Sequence, residues 1–185
     1  AGTAEDLEET FDALRKDERK ITTERRVAAS NAPPRNAEAK TPLDMYDWND
    51  LFHFEDLSDQ IEALDKFHSG LPRNPENLLL RHLIVFYKEK DRGSLRVAEY
   101  SRSKNIPEKI VKRFLDQYTT IQADGKYSRP SALRNKLAMH VLLLALKVND
   151  FTLDTKDFAE TLGSEPSRLT QFLKELGCDV YKHSA

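Results

Sequence analysis

Lys109, Lys112, Arg113 and Asp116 recur at spacings of three and four. On a helix these positions share one face, opposite a stripe of Ile110, Val111, Phe114, Leu115 and Tyr118. Three cations on one side of a helix suit neutralisation of successive phosphates. A solvated helix face would look the same from sequence. The residues just C-terminal to it add weight to the first possibility. Asp124-Gly125, between the β-prone residues 119–122 and 126–128, signals a hairpin. Lys126, Tyr127 and Arg129 would decorate its tip. From Arg102 to Lys136 nine cations face three anions, within a chain whose net charge is −2. A local basic patch of this kind binds a phosphate backbone even on a slightly acidic protein. A second set, Arg168, Gln171 and Lys174, lies outward on a helix whose inner face is Leu169, Phe172, Leu173 and Leu176. Of these, Arg168 and Gln171 have the donors and acceptors to read a base edge. The outward set is mixed rather than strongly basic, which argues against sequence-specific, high-affinity binding by this helix alone.

Other chemistries are poorly served. No Gly-rich phosphate loop, Ser/His/Asp order or Cys/His cluster is present. The five His are scattered, and His82 and His140 read as structural residues of long helices. We therefore expect no catalytic residue, cofactor or metal. A single Cys, Cys178, cannot form an internal disulfide and suits a reducing compartment; it reads as a small buried apolar residue. No apolar run reaches bilayer length, so no membrane partner is expected. No secretory leader is recognised, and an opening Ala-Gly-Thr without Met reads as a piece of a longer protein. The rings of Tyr46, Trp48, Phe52 and Phe54 could stack on single-stranded bases. Interleaved Asp44, Asp47, Asp50 and Glu55 would repel phosphates, so a packing role is expected.

These side chains need elements to hold them. Residues 1–40 are poor in large apolar groups; Leu7, Phe11 and Leu14 predict a short helix near residues 5–20, and Pro33-Pro34 ends any continuation. The segment reads as an extended linker that orders against a partner, or as a free tail. Residues 41–130 predict helices at 56–67, 78–90, from Gly93-Ser94 to 104, and 108–118, then the hairpin. Asn74-Pro75 opens the second of these. Residues 131–185 predict a long helix at 133–148, a short strand at Phe151-Thr152-Leu153, and two short helices separated at Gly163-Ser164. Gly177 then stops the last helix before a strand at residues 178–181. Ser164 is the expected cap of that last helix, ahead of Glu165-Pro166. The fold class is mainly α (α+β): a tandem winged helix, each unit a helix-turn-helix with a β-hairpin wing, behind an extended, partly helical linker. The domains are 1–40, 41–130 and 131–185.

Three stretches carry a family resemblance: TPLDMYDWNDLF, NKLAMHVLLLALKVNDFTLDTKDFAETLG and EPSRLTQFLKELGCDV. From about Thr41 onward the chain resembles the C-terminal tandem winged-helix region of the forty-nine-kilodalton subunit of RNA polymerase I. Residues 1–40 resemble the linker ahead of it. The resemblance implies a nuclear, nucleolar subunit that supports initiation and elongation of ribosomal RNA transcription. It implies double-stranded DNA binding with little sequence preference, and as partners the RNA polymerase I core, its other subunits and an initiation factor. The second wing is expected to be incomplete, since its returning strand would lie past His183.

The expected function is therefore non-catalytic DNA binding within RNA polymerase I. Lys109, Lys112 and Arg113 with wing residues Lys126 and Arg129 would neutralise phosphates, and Arg168, Gln171 and Lys174 would add a second footprint. Changing Lys109, Lys112 and Arg113 together to Glu is expected to remove most DNA affinity without unfolding. The alternative is a winged-helix scaffold for protein partners that does not touch DNA.

Overall fold

The computed structural model describes residues 31–66, 70–89 and 95–181. A 3₁₀ turn at Pro42–Met45 leads to α1 (Trp48–Phe52), a second 3₁₀ turn at Phe54–Leu57 and α2 (Ser58–Lys66). Then come α3 (Pro75–Lys88), α4 (Val97–Lys104) and α5 (Glu108–Tyr118), the two-stranded hairpin β1 (Thr120–Ile121) and β2 (Tyr127–Ser128), and α6 (Ser131–Val148), α7 (Thr155–Leu162) and α8 (Pro166–Glu175).

The helix starts follow from polar caps and prolines. Thr41, Asp47, Asn74 and Asp154 each accept hydrogen bonds from the first-turn amides of the helix they precede. Pro75 and Pro166 stand where a missing amide hydrogen costs nothing. Between β1 and β2 the amide of Gly125 donates to Gln122 at 2.9 Å and that of Gln122 to Lys126 at 2.8 Å. Gly125 takes φ 76°, the left-handed position that closes a three-residue hairpin loop.

Burial sets the rest. α5 buries one stripe, the five apolar residues expected of it. In α6 every residue from Leu137 to Leu146 is buried, so this helix is covered on all sides. It lies along α3 and also meets α5 and α8, while α4 packs on α5 and α7 on α8. The buried apolar side chains on both sides of the hairpin form one contiguous cluster. Within it the Tyr118 hydroxyl meets His140 Nδ1 at 2.7 Å, and His82 Nε2 meets Gln60 Oε1 at 2.8 Å. Both histidines are structural. The aromatic entry packs as expected: Trp48 stacks on Phe52, tilts against Phe151 and meets Tyr46 edge-on.

Several expectations need correction. Neither Phe151-Thr152-Leu153 nor residues 178–181 forms a strand; β1–β2 is the sheet among the described residues. The chain leaves α6 instead through Asp150 (φ 51°) and Phe151 (φ 60°), both left-handed. The Phe151 amide then reaches back to Leu146 O at 2.7 Å and satisfies the helix end. Ser164 does not cap α8. Its hydroxyl pairs with the Tyr87 hydroxyl at 2.8 Å, and Glu165 takes the cap position without a side-chain bond. The helix expected from residue 56 starts as 3₁₀ and becomes α-helical at Ser58. Cys178 is half-buried rather than buried. The helix expected at residues 5–20, Phe67 and the Gly93-Ser94 start fall outside the described residues.

Candidate nucleic-acid interface

Six of the eight residues singled out from sequence have exposed side chains: Lys109, Lys112, Lys126, Arg168, Gln171 and Lys174. Arg113 and Arg129 do not, and for each the reason is a bond to the protein itself.

α5 presents Lys109 and Lys112 outward because its other side is committed to the core. Lys112 stays 64% exposed, 4.0 Å from Glu108 one turn earlier. Lys109 is 73% exposed and bonds Asp56. Arg113, on the same face but one step closer to the core, is only 14% exposed. It donates to Asp56 Oδ2 at 2.7 Å and to His53 O at 3.2 Å. Asp56 thus accepts from two cations. Its hydrogen bond from Lys109, then the charge of Arg113, hold its carboxyl below the usual range, and the same bond raises Lys109 above the usual lysine value. Arg113 therefore clamps the 3₁₀ turn onto α5. Charge reversal there would set two carboxylates together in a part-buried site, so the triple variant, expected from sequence to stay folded, should instead destabilise the fold.

In the hairpin Lys126 is exposed and pairs with Asp124 at 2.9 Å. Arg129 is 8% exposed. It donates to Phe86 O at 3.2 Å and Tyr87 O at 3.4 Å, with its guanidinium 4.5 Å from the centre of the Phe86 ring. Phe86 and Tyr87 lie in the last turn of α3, where Phe86 O also accepts from the Glu89 amide at 3.2 Å and the helix end favours a positive charge. Arg129 is thus a helix-end cap that fastens the hairpin to α3.

α8 holds Arg168, Gln171 and Lys174 outward, with Leu169, Phe172 and Leu173 beneath. Arg168 lies over the Phe172 ring at 5.6 Å and donates to Asn135 Oδ1 at 2.8 Å. That bond ties the start of α8 to the start of α6, which comes directly after the hairpin. Lys136, one residue on, lies 5.9 Å from the centre of the Tyr118 ring and 3.5 Å from Gln117 O, at the end of α5. The first turns of α6 thus join the end of α5 to the start of α8. Sequence reasoning passed over Asn135 and Lys136 as members of this junction; only their place in a charge-rich helix start hinted at it.

Among the described residues no group of His, Cys, Asp and Glu is arranged to hold a metal ion, and no helix is long and apolar enough to cross a membrane. Comparison with curated proteins gives no match. A family does match: A49-like RNA polymerase I associated factor, over residues 78–185, from α3 through α8 to the last residue. This is more than half of the chain and corresponds to the C-terminal region of that subunit. The chain belongs to the family of A49-like RNA polymerase I associated factors.

Proposed function

We propose that this chain is a non-catalytic part of an RNA polymerase I subunit that holds double-stranded DNA with little sequence preference. In this reading the nucleolus is its place of work and the polymerase core its partner. The two units, residues 41–130 and 131–185, act as winged helices in tandem behind the linker. The order helix, helix, helix, hairpin over α3 to β2 supports this for the first unit. The second has its three helices without a strand among the described residues. The observation that carries the proposal is the exposed cation set on α5, the hairpin and α8, in a family that serves a DNA-transcribing enzyme. Lys109, Lys112, Lys126, Arg168 and Lys174 supply charge, and Gln171 a neutral hydrogen bond. Arg113 and Arg129 support the surface from beneath.

The test is duplex binding across a salt series. Each phosphate neutralised contributes a slope of about 0.9 in log affinity against log salt. Lys109→Gln with Lys112→Gln should lower that slope by about 2 and weaken all duplex sequences alike. A flat salt response of the parent chain would end the reading.

A further inference from the structure

The far end of α6 carries a different surface. An open groove of about 1300 Å³ runs between the entry segment, the end of α6, α7 and the residues after α8. Its apolar lining includes Met45, Trp48, Phe151, Leu153, Phe158 and Val180. Its charged lining is Asp150, Asp154, Asp157 and Asp179 against a single Lys156. Arg35, whose guanidinium crowds the Gly177 backbone, adds one positive charge at the end near Tyr46. Lys147 lies under Trp48 but is neutralised by Glu76. The groove is therefore net acidic, and the negative end of the α6 dipole adds to it.

Apolar exposure concentrates there as well. Among the described residues four large apolar side chains stand exposed: Leu43, Ile121, Val180 and Tyr181. Val180 and Tyr181 line the groove, and Leu43 sits beside its lining residue Pro42. Exposed apolar groups gathered with aromatic rings inside a charged rim are the ordinary composition of a protein-docking surface. The rim sign excludes a phosphate backbone.

We propose that this groove docks a Lys/Arg-rich segment with apolar anchors, supplied by a partner protein. The anchors would fill the space beside Trp48, Phe151 and Phe158, and the cations would meet Asp150, Asp157 and Asp179. The occupant is set by charge complementarity: an acidic or neutral segment would gain the apolar contacts but not the ion pairs.

The experiment uses the whole chain and a labelled synthetic peptide of Lys, Arg and Leu, read by anisotropy and by emission of Trp48, the chain's one tryptophan. The informative variant is Asp150→Asn with Asp157→Asn and Asp179→Asn. It removes three charges, keeps the Asp154 cap of α7, and places Asn, a residue at ease with positive φ, at position 150. Expected are a Trp48 emission change on binding, at least a tenfold loss of peptide affinity in the variant, unchanged duplex binding, and no binding of a matched peptide with Glu in place of Lys and Arg. Equal affinity for parent and variant would overturn the proposal, as would a silent Trp48 or displacement of the peptide by duplex DNA. So would a shift of Trp48 emission in the peptide-free chain when Arg15, Lys16, Arg19 and Lys20 are changed to Glu, because the occupant would then be the chain's own basic segment.

Discussion

Arg113 and Arg129 show how one residue type divides between surface and support. Both stand in a basic run, and both turn inward because a stronger partner is available. Arg113 finds a carboxylate and a carbonyl; Arg129 finds two carbonyls in the last turn of α3. Sequence spacing placed Arg113 on the right helix face. It could not reveal Asp56, which is 57 residues away in the chain. Arg113→Gln should lower unfolding free energy by about 1.5 kcal/mol in urea, since a part-buried carboxylate loses one of its two charged partners and keeps Lys109. Lys112→Gln, by contrast, should change it by under about 0.5 kcal/mol. The buried histidines act at the same scale. Burial pushes His82 down to about 4 and His140 to about 3 from an ordinary 6.5. Below 6.5 the unfolded chain takes up protons that the folded chain refuses. Their contribution to stability is therefore complete above that pH and is lost as pH falls toward 4 and 3. Each histidine should remove about 1.4 kcal/mol per pH unit within this window. Denaturation midpoints measured from pH 7 to pH 4 check this; a midpoint constant to pH 4.5 would refute it.

At the scale of elements, legibility followed the strength of the periodic signal. α5 was readable to the residue because its apolar stripe and polar face alternate cleanly. α6 was readable from its length of apolar sequence, although its neighbours were not. The hairpin followed from Asp124-Gly125. What failed were short β-prone runs. Phe151-Thr152-Leu153 has strand composition, but the end of α6 needs partners for its last carbonyls, and the chain folds back to supply them. Residues 178–181 come after Gly177, whose φ of 86° ends the helical path without providing a strand to pair with. Two consecutive non-glycine residues with positive φ carry a conformational cost, greater at the aromatic Phe151. Asp150→Gly should therefore stabilise the fold by about 0.5–1 kcal/mol in thermal or urea unfolding. A loss of stability would mean that the Asp150 side chain contributes more than its backbone costs.

Among the described residues α6 links two different surroundings. Its first turns adjoin the hairpin, the end of α5 and Arg168; its last turn opens on the acidic groove. Eighteen helical residues put about 27 Å between the two ends. The candidate cations were legible as a run of sequence, whereas the groove was not, because its walls come from three separate stretches of chain.

α3 and α6 share one interior, so the two halves of the chain are joined by more than the peptide link between them. The hairpin that connects them is exposed at its tip, while the helices on either side press flank to flank. A single protease cut between Gln122 and Lys126 should leave two pieces that co-elute as one particle in gel filtration and separate only in denaturant.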